Sequence, residues 1–221
     1  MRWSNQIDRI RQALAGPSPS FDEIFILRRL DGTPLRPFTP PPGVQPRASA
    51  ALLLLFPQHN EWHFPLTVRS SRVTMHRGEV SLPGGGIDPE DNGAVGAALR
   101  EAQEEIGIDP TRVEVLGSLT TFYIPPSNNY LTPIVGVYPA PFEPRHDPAE
   151  VDSVFTVPLA VLFDPTITRE EIWERNGTRM RVPFFALNGY KVWGATALLL
   201  SEFVARLRRV GWLEERHSGS L

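Results

Sequence analysis

Apolar residues in the first part of the chain predict one short helix followed by a stretch without regular structure. The helix is amphipathic, because its apolar residues recur at intervals of three and four before a Gly-Pro pair. Six prolines between residues 32 and 46 exclude a helix or a central strand and predict an extended connector. We therefore expect residues 1–46 to form an N-terminal appendage. The helix and its stop are Ile7, Ile10, Leu14, Gly16 and Pro17.

Continuous apolar runs of strand length follow the connector. Residues 48–56 and 62–69 are separated by a short polar break and predict a buried hairpin, and residues 79–83 predict a short strand. The three glycines at 84–86 predict a loop that is free of Cβ constraints. Further strands are predicted at 113–124, 130–139 and 151–159, and Asn176-Gly177 predicts a hairpin between residues 170 and 185.

Two longer helices are predicted in the second part of the chain. One runs from Ala94 to Ile106 and ends at Gly107, and the other occupies residues 193–213. The apolar positions of the first helix are Val95, Ala98, Leu99, Ala102 and Ile106. Together these elements predict one main domain at residues 47–213 and a tail at 214–221.

Composition narrows the classes of function. The chain has 221 residues, of which 41% are apolar and 21% charged, as in ordinary globular proteins. A net charge of −3 provides no general attraction for nucleic acids or anionic membranes, so a phosphate-bearing ligand requires a local basic patch. The lack of cysteine excludes disulfides, a thiol nucleophile and cysteine-ligated zinc. The N-terminal residues have no continuous apolar core, so we expect a cytoplasmic protein.

Three glutamates crowd one side of the helix that begins at Ala94. Glu101, Glu104 and Glu105 lie at positions i, i+3 and i+4, and like charges at this spacing repel one another. Either open solvent or a counter-charge makes the cluster tolerable, so a solvated acidic face is one interpretation. A divalent cation is the other, because Mg²⁺ binds carboxylate oxygens together with substrate phosphates. The adjacent glycines and Arg100, which can grip a carboxylate with two hydrogen bonds, favour the cation.

The residues around this helix resemble the Nudix box. The usual box reads Gly, five residues, Glu, seven residues, then Arg-Glu-apolar-x-Glu-Glu-x-Gly-apolar, and residues 86–108 match it at all positions but one. The exception is Asn92, which stands where the early glutamate is expected, directly after Glu90 and Asp91. The matching residues are Gly86, Arg100, Glu101, Ala102, Glu104, Glu105, Gly107 and Ile108.

A second stretch, residues 66–85, resembles the signature of the coenzyme A pyrophosphatase subgroup of the Nudix hydrolases. In that signature Leu-Leu-Thr-x-Arg-Ser leads through a glycine to Phe-Pro-Gly-Gly. The DPED run at 88–91 and WGATA at 193–197 are also similar to that subgroup. The agreeing positions are Arg69, Ser70, Gly78, Pro83, Gly84 and Gly85, and the departures are Pro65, Thr74 and Leu82.

The resemblance implies a fold, a reaction and a cofactor. The fold is an α/β/α sandwich of the Nudix type with a mixed sheet, to which the N-terminal helix and the proline-rich connector are added. The reaction is the hydrolysis of coenzyme A or acyl-coenzyme A to 3′,5′-ADP and 4′-phosphopantetheine or its acyl form, with Mg²⁺ or Mn²⁺. The expected partner is a small nucleotide rather than nucleic acid or membrane, and a homodimer is compatible with the sequence.

The candidate site combines the resemblance with the chemistry of the residues. The base is placed variably in Nudix enzymes, and Glu150 is a candidate for it because it lies just before a predicted strand; a plain surface glutamate is the alternative. The predicted catalytic residues are Arg100, Glu104 and Glu150, and the predicted metal ligands are Glu101, Glu104 and Glu105. The predicted substrate-binding residues are Arg69, Arg72, Arg77, Gly84 and Gly85, although each arginine alone is equally explained as a solvated residue.

Other features have two interpretations. His76 can contact phosphate or be a solvated loop histidine. Tyr123, Asn128 and Asn129 can contact adenine or pantetheine, but turn chemistry explains them as well. The alternative substrates are ADP-ribose, a dinucleoside polyphosphate or a nucleotide sugar. The alternative class is a Nudix-fold regulator without catalysis, against which the complete set of Arg100 and the three glutamates argues.

Overall fold

The computed structural model describes residues 2–69, 79–146 and 151–212. Within these ranges the chain forms three α-helices and eleven strands. The helices are α1 (Arg2–Ala15), α2 (Gly93–Ile106) and α3 (Gly194–Arg209). The strands are β1 (Arg47–Gln58), β2 (Glu61–Arg69), β3 (Val80–Ser81), β4 (Gly84–Gly86), β5 (Glu114–Ser118), β6 (Phe122–Ile124), β7 (Asn129–Val137), β8 (Val151–Pro158), β9 (Thr168–Arg175), β10 (Thr178–Leu187) and β11 (Tyr190–Trp193).

Strand β1 lies at the centre of a mixed sheet. It pairs in parallel with β7 and antiparallel with β2 and β4, and the main strand order is β3-β2-β1-β7-β5. Strands β6 and β8 add to β7 and β2, respectively. A second, antiparallel sheet has the order β11-β10-β9. The predicted hairpins at β1–β2 and β9–β10 are confirmed, with left-handed backbone at His59 and Asn60 in the first and at Asn176 and Gly177 in the second.

The alternating side chains of β1 build two hydrophobic cores, one on each face of the sheet. Leu53 and Leu55 belong to the core that also contains residues of α1 and α3. Leu52 and Leu54 belong to the core that contains the buried face of α2. Both faces of a strand must be apolar when helices cover both, which explains the unbroken run of leucines. The expected α/β/α sandwich with a mixed sheet is therefore confirmed.

The N-terminal segment is fastened to the last helix by Arg206, whose guanidinium also belongs to a buried ion pair within α3. Arg206 donates from Nε to Oε1 of Glu202 over 2.9 Å, and both side chains are at most 4% exposed. The Nη1 of Arg206 also donates to the carbonyl of Leu14, near the end of α1, and to that of Gly16, just beyond the helix. Glu202 in turn accepts from the backbone N–H of Thr120. These contacts, called the N-terminal latch below, hold α1 against the domain.

Three local predictions are wrong. The glycines at 84–86 form strand β4 instead of a loop. Residues 113–124 form two strands, β5 and β6, instead of one. The register against β7 shifts between Val115 and Gly117, and it shifts again by one residue between Ser118 and Phe122. Val95 is exposed, and Ala97 is buried in its place.

Strand β11 was not predicted, although Asn188-Gly189 before it repeats the hairpin signal of Asn176-Gly177. The division of the chain at residues 46 and 213 stays a prediction. Among the helices that the structure describes, none has the length and apolar character needed to cross a bilayer.

Candidate functional site

Helix α2 presents the three glutamates beside strand β4. Its inner face is small and apolar, and Ala98, Ala102 and Ile106 are fully buried against the sheet. The helix ends at Gly107, whose φ of 73° is left-handed and whose N–H bonds to the Gln103 carbonyl. Because the buried face fixes the rotation of the helix, the acidic side chains are fixed at its edge.

Two of the three glycines of β4 leave no room for a side chain. A Cβ on Gly84 would stand 2.3 Å from the carbonyl oxygen of Ala50. A Cβ on Gly85 would stand 2.3 Å from Oε1 of Glu101. Neither glycine has a left-handed backbone, so close approach and not conformational freedom explains this part of the motif. The Glu101 carboxylate is therefore in direct contact with the backbone of β4.

Arg100 connects the acidic face of α2, which Glu101, Glu104 and Glu105 form, to the segment between β4 and α2. Its Nε and Nη2 donate to the two carboxylate oxygens of Asp91, each over 3.0 Å. Nη1 donates to Glu101 and Glu104 over 2.9 and 3.1 Å, and Nη2 also reaches the carbonyl of Gly86. A guanidinium has five N–H donors, so these contacts use its full capacity. Arg100 is thus a group that positions its neighbours.

The sequence pattern does not identify the carboxylate that Arg100 holds. The box places its early carboxylate at Asn92, but the structure uses Asp91, one position earlier, with only 6% of its side chain exposed. Hydrogen bonds from Arg100 hold the pKa of Asp91 below its usual value, and the same contact raises the pKa of Arg100. The sequence does contain a signal for this role, because Asp91 stands directly before Asn92, the one position that does not match the box.

Asp91→Asn should lower kcat/KM roughly ten- to a hundredfold, because the segment from Gly86 to Asn92 would lose its fixed position beside the acidic face. Asp88→Asn is the matched control, since Asp88 lies 3.4 Å from the same guanidinium but is 64% exposed. Steady-state kinetics on both variants tests this expectation. Equal losses in both variants would contradict it.

The same pair makes stability depend on pH. Because the folded pKa of Asp91 is lowered, its ion pair stabilises the fold above the unfolded value of about 3.9 and is lost as the pH falls through the folded value. Urea unfolding should therefore show a smaller loss of stability from pH 6 to pH 3 in Asp91→Asn than in the wild type.

The three glutamates offer oxygen donors but do not close a cage. Glu105 accepts from the N–H of Gly84 over 3.3 Å, while Glu101 touches Gly85, so both are directed at β4. Glu104 is 51% exposed. In the part of the chain that the structure describes, no three acidic or histidine side chains converge as a complete metal site. Hard oxygen donors beside an open strand nevertheless fit an ion such as Mg²⁺, which retains waters and shares substrate phosphates.

Several other candidate residues can be placed only in part. Arg69 is exposed at the end of β2, next to Glu79, from which β3 leads directly to β4. Tyr123 donates to Oδ1 of Asn128, and Asn128 takes a left-handed conformation, so turn chemistry accounts for both. Arg72, His76, Arg77 and Glu150 lie outside the described residues.

Comparison with known proteins identifies the family to which this chain belongs. The model of the NUDIX domain matches residues 46–178, which is more than half of the chain. "Uncharacterized Nudix hydrolase NudL" of Photorhabdus laumondii is 36% identical over 144 residues, covering 65% of this chain and 76% of that protein. "Mitochondrial coenzyme A diphosphatase NUDT8" of Homo sapiens is 38% identical over 156 residues, covering 69% and 66%, respectively.

Among solved structures, the Nudix hydrolase RenU from M. smegmatis matches with a TM-score of 0.47 and 17% identity. The match covers 79% of this chain and 88% of that one. Helix α2 carries the complete Arg-Glu-x-x-Glu-Glu pattern, and the NUDIX-domain model matches more than half of the chain. The protein therefore belongs to the Nudix hydrolase family.

Proposed function

We propose that this Nudix hydrolase cleaves the diphosphate of coenzyme A or acyl-coenzyme A. The products are 3′,5′-ADP and 4′-phosphopantetheine or its acyl form. Two observations support this substrate. The human relative NUDT8 is named a coenzyme A diphosphatase, and residues 66–85 carry most of the signature that is similar to the coenzyme A pyrophosphatase subgroup.

The observation that carries the reaction is the position of the acidic face of α2 directly beside β4. Glu101 and Glu105 both contact the backbone of that strand, and Arg100 holds Glu101 and Glu104 in place. In the proposal Glu101, Glu104 and Glu105 hold Mg²⁺ or Mn²⁺. When bound there, such an ion would supply positive charge to the phosphate oxygens of the substrate and would lower the pKa of a water molecule.

The remaining roles follow from what each side chain can do. Glu104 is the most exposed of the three and is a candidate base as well as a ligand, with Glu150 as the other candidate. Gly84 and Gly85 let the backbone of β4 approach the diphosphate, since no side chain stands between them and the acidic face. Arg69, Arg72 and Arg77 bind the phosphates, because guanidinium groups match phosphate oxygens in pairs.

A direct assay tests the reaction. The purified protein should release 3′,5′-ADP from coenzyme A only when Mg²⁺ or Mn²⁺ is present, as measured by chromatography of the products. Cleavage of ADP-ribose, a dinucleoside polyphosphate or a nucleotide sugar, with coenzyme A left intact, would assign the alternative substrate. Nucleotide binding without any hydrolysis would indicate a regulator. We keep the cytoplasm as the proposed location of this protein, although the human relative is named a mitochondrial enzyme.

Coenzyme A should be cleaved with a higher kcat/KM than its 3′-dephospho form, because its additional phosphate can contact an additional guanidinium. Arg69→Ala should reduce this preference about tenfold, as expected for the loss of one charge-assisted hydrogen bond. The measurement is competition between the two substrates at one Mg²⁺ concentration. Arg179→Ala removes an exposed arginine of β10 and serves as the control. A preference for the dephospho form would reject the role of the 3′-phosphate.

A further inference from the structure

A cavity lies on the face of the sheet opposite α2. Its volume is about 70 Å³, and it opens to solvent. Its walls come from four parts of the chain: the N-terminal segment, β6 with the residue after it, β10 and the start of α3. The apolar side chains that form most of its surface include Phe25, Leu27, Phe38, Phe122, Ile124 and Leu198.

The N-terminal wall is fixed at both ends. The N–H of Phe25 donates to Oγ of Ser201 over 2.8 Å, and the carbonyl of Phe38 accepts from the N–H of Tyr123 over 2.8 Å. Phe25 also stacks on Phe185, with ring centroids 4.6 Å apart. These contacts hold residues 25–38 against the domain, so the cavity is a built feature of the fold.

The cavity is separate from the acidic face. Gly86, Ser49, Leu131 and Phe122 are consecutive partners across β4, β1, β7 and β6. Three strand spacings therefore separate Phe122 from the end of β4, which is about 14 Å. Phe122 and Leu131 belong to the core on the side of α3, whereas α2 covers the other face.

The guanidinium of Arg36 borders this apolar space, and no residue that the structure describes pairs with it. Arg36 is half-buried and lines both this cavity and a neighbouring cleft, which Arg175 and Trp173 also line. Among the described residues, neither guanidinium has a hydrogen bond or an ion pair, although Glu174 lines the same cleft. Burial lowers the pKa of Arg36 from its ordinary value, and the charge of Arg175 adds to that effect. A half-buried charge of this kind is stabilised by an anionic partner.

We propose that this cavity is a second binding site, which takes a separate amphipathic anion. The apolar body of the ligand occupies the space between residues 25–38 and α3, and its carboxylate or phosphate pairs with Arg36. Charge complementarity selects an anion over a neutral molecule, and the aromatic and aliphatic walls select an alkyl or aryl body. The site goes beyond the proposed hydrolysis and does not depend on it.

Calorimetric titration with octanoate tests the site, with 1-octanol as the neutral molecule of the same chain length. The wild type should bind octanoate, and Arg36→Gln should weaken that binding about tenfold or more, as expected when a charge-assisted contact is lost. Arg29→Gln is the matched control, because Arg29 is an exposed arginine of the same segment that does not line the cavity. Ala195→Leu, which fills the cavity, should also abolish binding, with the thermal midpoint recorded to confirm that the variant folds.

Four results would overturn the proposal. They are the absence of octanoate binding to the wild type, equal binding by Arg36→Gln and Arg29→Gln, equal affinity for 1-octanol, and displacement of octanoate by coenzyme A. The last result would place the anion in the catalytic site. None of these measurements uses hydrolysis, so a failure of the second site and a failure of the proposed function are distinguishable.

Discussion

Glu101→Gln and Glu105→Gln should each lower kcat by more than about a hundredfold at limiting Mg²⁺, while the protein remains folded. Glutamine has nearly the same size as glutamate but lacks its charge, so the ability to hold a cation is lost with little change in packing. Both side chains lie against β4. The measurements are hydrolysis rates as a function of Mg²⁺ and the direct binding of Mn²⁺ by electron paramagnetic resonance.

Glu90→Gln is the matched control for these two variants. Glu90 is an exposed glutamate between β4 and α2, so its replacement removes the same charge without touching the acidic face. The alternative of a solvated acidic face predicts a different outcome. In that case removal of one charge would leave Mn²⁺ binding unchanged. Unchanged Mn²⁺ binding in both variants would reject the proposed metal site.

Arg206→Met should lower the free energy of unfolding by about 3–5 kcal/mol, because it leaves the Glu202 carboxylate buried without its cation. The two side chains are 4% and 2% exposed, and solvent cannot replace the lost partner. Arg209→Met is the control on the same helix: its pair with Glu23 is 37% and 41% exposed, and it should cost at most about 1 kcal/mol. Urea unfolding of both variants measures the difference.

The double variant Glu202→Gln, Arg206→Met separates charge from packing. If the unpaired Glu202 carboxylate causes the loss of stability in Arg206→Met, a neutral glutamine at position 202 should recover part of the free energy of unfolding. The side-chain amide of that glutamine can still accept from the N–H of Thr120. A loss in Arg206→Met no larger than that in Arg209→Met would show that the latch contributes little.

Elements with a strong periodic signal were predicted well from the sequence. The leucine run of β1, the Asn-Gly hairpin of β9 and β10, and the stop of α2 at Gly107 all depend on local chemistry, and the structure confirms each of them. The three glutamates were placed on one side of a helix by spacing alone. The fold class required the resemblance, because sheet order depends on contacts distant in sequence.

The errors have a common physical origin. The glycines at 84–86 predict a loop because glycine permits unusual backbone angles, but Gly84 and Gly85 instead permit close contact with β1 and with Glu101. The family pattern places the early carboxylate one residue after Asp91, and only the contacts of Arg100 show that Asp91 takes its place. In both cases the decisive partner lies in another element, which a local pattern cannot identify.

The N-terminal latch also sets the order in which the protein can be completed during synthesis. The carbonyls of Leu14 and Gly16 are made early, but their partner Arg206 follows about 190 residues later. Until then, the buried end of α1 has neither its cation nor the apolar surface of α3. A nascent chain that has exposed only the box and the central sheet is therefore still unfinished, and its uncovered core favours aggregation until α3 is made.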